Sequence, residues 1–544
     1  MILSPLPRTR PCRLTLSTPV AKKPSFSTNG RHHTPATPKS TLNPKFKSQP
    51  ASRIYTALTA GLLSSTGLWW LVSSSEAESA MPSLNLTAKA STSTKHRIYD
   101  NKSAGLSKEQ VTGVLSENAY SYVVGGVAGL DRYDGAQVAS NSPCEDTFLH
   151  GRFASPLPSG SGSSSGGNKA PWMAWGIFDG HLGRQTADVL QHELLGYVSR
   201  RLNALAPRDQ ASKTGVANEA IQRAISRGFT DLDEAIFASA MAAASSSPKS
   251  SSSSPSSKEE RAESLAARIQ KMLPVFAGSC ALLTLFDPTT QTLHVACTGD
   301  SRAVLAQQNP NGTWSTTPLS IDQTGSNAAE IARINAEHPG ESSVVRGGRV
   351  LGLMVSRAFG DGQWKWPVDV QRELARRFHG PGLLNPKYAV RTPPYITAEP
   401  VVTSSRVDTG GAAFVILGSD GLWDFMSSEQ AVGLVGAWIE AKSKRRGEDV
   451  KDRNGKGVLA SDIAETPFDF GQVGDNGVPW GFVEERMTVQ DDNVAVHLVR
   501  NALGGAHHEL LAARLAFQAP HSRRVRDDTT VQVVFFNMEN LVRN

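Results

Sequence analysis

Six aspartates carry the chemistry that this sequence could do. Asp146, Asp179, Asp300, Asp361, Asp420 and Asp527 each stand at or beside the end of an apolar run or a glycine turn. The clearest stretch is Trp175-Gly176-Ile177-Phe178-Asp179-Gly180-His181. Here an apolar run delivers a carboxylate to its end. The glycine lets another group approach the backbone, and the histidine can donate a proton. Alone, Asp-Gly-His fits a strand running into a polar turn equally well. A set of such acids does not, because carboxylates at the ends of core strands are costly unless they are compensated. Gathered in one place they would repel each other, and divalent cations would offset that repulsion. Oxygen-only donors favour Mg2+ or Mn2+ over zinc. Two such ions, about 3.5–4 Å apart, can clamp both oxygens of an in-line phosphoryl displacement and acidify a water. The chain has no Gly-x-x-x-x-Gly-Lys-Ser/Thr loop for nucleotide phosphates, so metal-assisted hydrolysis is favoured over kinase chemistry.

The elements that must position these acids follow from hydrophobic periodicity. Strands are expected at 172–178, 278–286, 292–298, 303–306, 413–418 and 531–536, with a further strand region opening at 393–400. The Asp287-Pro288 turn makes a hairpin of the second and third. Residues 111–127 mix apolar residues with glycines and tyrosines and are read as the start of a sheet. Helices are expected at 184–200, 216–242, 259–272, 327–338, 427–441, 493–503 and 508–517. Residues 156–168, 245–257 and 444–492 read as flexible insertions rich in Ser, Gly, Pro or charge. In Glu145-Asp146 the two side chains of a strand point to opposite faces. Only one aims straight at a given site, and the other acts through water or a supporting hydrogen bond.

The chain has 544 residues, 39% hydrophobic and 19% charged. Its net charge of +6 is misleading, because ten of the 56 Lys and Arg precede residue 76 and no acid does. The remaining 46 basic residues face all 50 acidic ones. Nothing in that balance points to nucleic acid as a partner. The four cysteines (Cys12, Cys144, Cys280 and Cys297) form no C-x-x-C pair, against a structural zinc site or a disulfide framework. Residues 1–53 are basic, Ser-rich and free of acids, the pattern of a mitochondrial targeting leader. Residues 54–72 carry no charge over a stretch just long enough to cross a bilayer, and read as an inner-membrane anchor or a sorting segment. Residues 73–110 are expected to be a linker and 111–540 the catalytic domain.

The order of the acidic motifs resembles the PP2C-type family of metal-dependent protein serine/threonine phosphatases. The matching motifs are Glu145-Asp146, Asp179-Gly180-His181, Gly278-Ser279-Cys280-Ala281, Gly299-Asp300-Ser301-Arg302-Ala303-Val304, Ser356-Arg357-Ala358-Phe359-Gly360-Asp361, Asp420-Gly421-Leu422-Trp423-Asp424 and Arg526-Asp527-Asp528. Ser140-Asn141-Ser142-Pro143, Lys365-Trp366, the 392–400 segment and the 493–505 segment are similar to the mitochondrial pyruvate dehydrogenase phosphatase branch. The resemblance implies an α-β-β-α sandwich of two antiparallel sheets flanked by helices. It implies two Mg2+ or Mn2+ ions and a third, weaker site, with a phosphoprotein substrate such as the pyruvate dehydrogenase E1α subunit. By that resemblance Asp179 bridges the two ions. Glu145 and the Gly180 carbonyl complete one shell, and Asp420 and Asp527 hold the other. Asp146 orients the attacking water, His181 protonates the leaving oxygen, and Asp300 and Asp424 belong to the third site. Asp361 receives no role. Many family members place a phosphate-contacting arginine four residues before the glutamate, where this chain has Asn141. That departure leaves more of the phosphate's charge to the metals. The rival readings are a phosphatase of other mitochondrial phosphoproteins and an inactive binding member of the fold.

Overall fold

The computed structural model describes residues 105–157, 170–205, 214–245, 263–407, 411–449 and 480–538. The expected leader, the 54–72 segment and most of the expected linker lie outside these residues. So do the central parts of all three expected insertions. Among the described residues no helix is long and apolar enough to cross a membrane.

Two antiparallel sheets form the centre. In the five-stranded sheet the order is Val401–Arg406, Thr292–Thr298, Ala281–Asp287, Trp172–Phe178, Thr147–Phe153. In the six-stranded sheet it is Tyr120–Val123, Leu130–Val138, Thr529–Phe536, Ala413–Gly418, Arg302–Gln308, Trp314–Pro318. Side-chain alternation builds the layers. Met173, Trp175 and Ile177 join Leu282, Val295, Leu305, Val415, Val534 and Phe536 in one buried cluster between the sheets. Trp172, Ala174 and Phe178 of the same strand face away, against Leu190, Leu194, Val198, Phe229 and Met272 of the Gln185–Asn203, Thr214–Ser245 and Leu265–Phe276 helices. Across the molecule Val304, Phe414, Ile416, Val533 and Phe535 pack on Val435, Trp438, Leu498 and Leu511 of the helices Ser428–Asp449, Val494–Leu503 and His508–Ala516. The order helix, sheet, sheet, helix is the α-β-β-α sandwich expected.

Two local expectations are corrected and one is extended. The segment 111–127 opens with a helix, Lys108–Ser116, and only Tyr120–Val123 is strand. Its signal is Ser107-x-x-Gln110, a capping box in which each side chain bonds the other residue's backbone N–H,. Val111 and Leu115 then supply a buried face one turn apart. Secondly, the expected strand at 303–306, which follows the hairpin directly in sequence, belongs to the other sheet. The Gly299 turn (φ +104°) carries the chain from the five-stranded to the six-stranded sheet, so Arg302–Gln308 pairs with Ala413–Gly418. Thirdly, the ends of the expected 444–492 insertion are structured. The preceding helix runs to Asp449. Phe482, Thr488 and Asp491 are buried, and Asp491 forms an ion pair with Arg500 at 2.8 Å. The charge of Asp491 thus reflects buried pairing, whereas that of neighbouring Asp492 is 87% exposed.

Candidate active site

The acids converge because each stands beside one end of a strand. Asp179 comes directly after Trp172–Phe178 in the five-stranded sheet. Asp420 opens a one-turn helix, Asp420–Trp423, just past Ala413–Gly418 in the six-stranded sheet. Asp300 sits in the crossover between the sheets. Asp179, Asp300 and Asp420 each bring one carboxylate oxygen within 4.8 Å of the others. Burial, and then the charge of the neighbouring acids, pushes the pKa of Asp179 and Asp420 well above the usual carboxylate range. Burial is the leading cause again for Asp300, raised to about 6. These groups resist ionising together unless cations join them. The donors are all hard oxygens, so the set fits a divalent ion such as Mg2+ or Mn2+.

A second group of bonds holds Glu145 and Asp146. Asp528 is 2% exposed and organises the turn in front of them. Its Oδ1 accepts from the Ser140 and Asn141 amides, and its Oδ2 accepts from the Glu145 amide at 2.7 Å and Asn141 Nδ2 at 2.9 Å. Asn141 Nδ2 also donates to Glu145 Oε2 at 3.0 Å. Asn141 is thus a brace for the glutamate. Asp146 Oδ2 accepts from Thr530 Oγ1 at 2.7 Å and Ser419 Oγ at 2.9 Å, while its Oδ1 is buried without a partner. Burial and Asp528 raise Asp146 to about 7. Gly180 is required beneath this turn, because a Cβ there would lie 2.5 Å from the Glu145 carbonyl oxygen. Glu145 and Asp527 are also shifted upward, by burial first. They stand beside the 179–300–420 group rather than within it. Asp424, at the end of the Asp420 turn, is raised by burial and by Asp322.

His181 is positioned by a small three-stranded ladder of its own. Gly180-His181 pairs with Gly278-Ser279, which pairs in turn with Phe359-Gly360. Gly360 and Asp361 then both adopt left-handed backbone, φ +68° and +55°. This is a conformation that glycine takes freely and aspartate tolerates. The chain reverses there, and Asp361 Oδ2 meets His181 Nε2 at 2.7 Å. Gly278 lies between them, and a Cβ on it would collide with both side chains. The turn is anchored by Asp361 N donating to Ala277 O at 2.8 Å and Gly360 N to Asp233 Oδ1 at 3.0 Å. Lys365 Nζ binds the other Asp233 oxygen at 2.6 Å. Burial pulls the His181 pKa down, but the charge and hydrogen bond of Asp361, helped by Asp300 and Glu145, leave it raised overall.

Every acid singled out from the sequence therefore lies in or beside one cleft, at the edge where the two sheets meet. Two working residues were missed. Asp361, to which the sequence assigns no role, is the partner of His181. Asp528 stands out in the sequence only as the end of the Arg526-Asp527-Asp528 motif. Glu145-Asp146 and Asp527-Asp528 both lie just before strands, Thr147–Phe153 and Thr529–Phe536, rather than on them, so strand alternation governs neither pair and no local signal marked Asp528.

A family model described as Protein phosphatase 2C matches residues 144–454. The chain is 37% identical over 414 residues to a protein phosphatase 2C homolog of Schizosaccharomyces pombe, covering 76% of this chain and 82% of that one. It is 34% identical over 469 residues to the mitochondrial pyruvate dehydrogenase (acetyl-transferring) phosphatase 1 of Saccharomyces cerevisiae, covering 84% of this chain and 77% of the relative. A crystal structure of serine-threonine phosphatase 2C from Toxoplasma gondii is similar at a TM-score of 0.39 and 16% identity, over 77% of this chain and 99% of that one.

Proposed function

The chain belongs to the protein phosphatase 2C family, and from that premise we propose that it dephosphorylates the pyruvate dehydrogenase E1α subunit inside mitochondria. It is a metal-dependent protein serine/threonine phosphatase. The observation that carries the chemistry is the convergence of Asp179, Asp300 and Asp420 within 4.8 Å. The substrate reading is supported by similarity to a pyruvate dehydrogenase phosphatase over 84% of this chain. The location is supported by that relative's mitochondrial name and by the basic, acid-free residues 1–53. Residues 54–72 would then be the sorting or anchoring segment.

When bound, a pair of Mg2+ or Mn2+ ions supplies Lewis acidity and offsets the charge of the phosphoryl group. Asp179 is the residue that would touch both ions, with Glu145 and the Gly180 carbonyl on one side and Asp420 and Asp527 on the other. Asp300 and Asp424 would serve a third, weaker site. Asp146 keeps one oxygen on Ser419 and Thr530 and has the buried Oδ1 free to orient the attacking water. His181 has Nε2 committed to Asp361, so Nδ1 is the atom left to protonate the departing serine or threonine oxygen. No covalent enzyme intermediate is needed.

Purified protein with Mn2+ should hydrolyse a phosphorylated E1α peptide and an aryl phosphate, and Asp179→Asn should hydrolyse neither. In a deletion strain E1α phosphorylation should rise. If other mitochondrial phosphoproteins rise and E1α does not, the chemistry stands and the substrate assignment fails.

A further inference from the structure

A phosphoryl group arriving in this cleft carries close to two negative charges into a group of carboxylates, and a fixed cation at the rim would offset part of that repulsion. Asn141 offers no charge, and its amide is already used on Glu145 and Asp528. The charges of Arg184, Arg302 and Arg523 reach Asp528, Asp300 and Asp527 respectively. Arg184 forks onto Asp188 with three contacts of 2.8–3.1 Å. Arg302 pairs with Asp322 and lies over the Trp423 ring. Arg523 differs from both. Its side chain is 40% exposed, and its one hydrogen-bond partner among the described residues is Asp527, through Nη1 at 2.5 Å. Its charge acts on Asp527, Glu145, Asp420 and Asp179, members of both acidic groups.

The backbone under Arg523 is fixed to the same turn that carries Glu145. Arg523 belongs to the one-turn segment Ser522–Arg524. Ser522 Oγ donates to the Ser140 carbonyl, and Arg526 Nη2 donates to the Ala139 carbonyl at 3.1 Å. The backbone that carries the guanidinium is therefore anchored, and among the described residues only Nη1 of its donors has a hydrogen-bond partner,.

We infer that Arg523 is the phosphate-binding cation of this site, holding Asp527 with one edge and donating the free edge to a non-bridging oxygen of the substrate phosphoryl group. The inference rests on the phosphatase reading for its substrate. A planar guanidinium suits both tasks because carboxylate and phosphate oxygens match its donor geometry.

The test is the affinity for inorganic phosphate, measured by calorimetry with Mn2+ saturating, in wild type, Arg523→Ala and Arg523→Lys. Mn2+ affinity is measured separately without phosphate. Loss of one charge-assisted contact should weaken phosphate binding roughly 10- to 100-fold in Arg523→Ala, with part of it recovered by lysine. Mn2+ should bind as tightly or more tightly, since a repelling cation has gone. Phosphate affinity within about twofold of wild type would overturn the assignment. So would a loss of Mn2+ affinity that matches the phosphate loss, because Arg523 would then serve only to order Asp527. Calorimetry needs no turnover. A protein that binds phosphate through Arg523 yet hydrolyses no phosphoester would fail the phosphatase reading and keep this one.

Discussion

Asp361→Asn tests the proposed proton donation by His181 apart from the rest of the site. The substitution keeps the shape of a side chain that is 1% exposed and removes the charge opposite His181 Nε2, 2.7 Å away. A charge-assisted bond of this kind contributes about 1.5–3 kcal/mol and a neutral one about 0.5–1.5. The difference, on the order of 1–1.5 kcal/mol, corresponds to about a tenfold slower step if it is expressed only at the transition state. Losing the donor altogether would cost roughly 10²–10⁴, which sets the ceiling. We expect kcat on a phosphoserine peptide to fall about 10- to 100-fold. An aryl phosphate, whose leaving oxygen departs without a proton, should lose less than about threefold. The pH profile supplies a second readout. Asp361 helps hold the His181 pKa above its ordinary value, so the alkaline limb on the peptide should move to lower pH in the variant. Gly278→Ala approaches the same contact from outside, because its methyl would wedge between His181 and Asp361. It should give the same substrate dependence. Equal losses on both substrates, in either variant, would refute the reasoning and assign these residues to the fold or the cation site.

The repulsion within the cleft should be visible as a pH-dependent stability of the metal-free protein. Asp300 and Asp146 have folded pKa values near 6 and 7, above the unfolded range. The folded state therefore holds protons that the unfolded state releases, and stability falls as pH rises from about 4 through 7. Melting curves in EDTA should show this decline, and Mn2+ should remove most of it. A flat EDTA profile would mean that the acids are already compensated. Away from the cleft, Arg500 and Asp491 form a pair in which each side chain is 4% exposed. Removing one partner leaves an unpaired buried charge, so Arg500→Ala should cost about 3–5 kcal/mol in urea unfolding. A loss under 1 kcal/mol would show that the 480–492 segment relaxes to admit water.

The sequence made the strands of the sandwich and the identities of the cleft acids legible for a common reason. A strand buried on both faces is almost wholly apolar, so a charge at its end stands out. Trp172–Phe178 followed by Asp179, and Ala413–Gly418 followed by Asp420, show this directly. The capping box at Ser107–Gln110 is equally legible in its side chains, but the glycines and tyrosines downstream carry a competing sheet signal. What periodicity could not reveal was pairing over long separations. Asp361 lies 180 residues from His181, and Asp528 lies 383 from Glu145. Each contact exists only because a third segment brings the two together: Gly278-Ser279 for the first, and the pairing of Leu130–Val138 with Thr529–Phe536 for the second. Local pattern finds residues of the right type, and topology decides which of them touch.

That dependence on topology ties the cleft to the packing of the whole sandwich. Asp179 leaves the five-stranded sheet, while Asp420 and Asp527 flank strands of the six-stranded one. Asp300 sits where the chain passes between the two. Their mutual repulsion therefore acts across the interface that Trp175, Ile177, Val415 and Val534 hold shut. A cation bound among them replaces repulsion by attraction across that interface. Binding that is selective for the folded state stabilises it by an amount that grows with the logarithm of ligand concentration. The melting temperature should accordingly keep rising with Mn2+ well past the concentration that half-saturates activity. At a pH high enough to ionise Asp179 in the metal-free protein, an Asp179→Asn protein, relieved of one repelling charge, should melt higher than wild type in EDTA and gain less from Mn2+. If the variant instead melts lower in EDTA, the acids are held by contacts stronger than their repulsion, and cleft and sandwich are not coupled in this way.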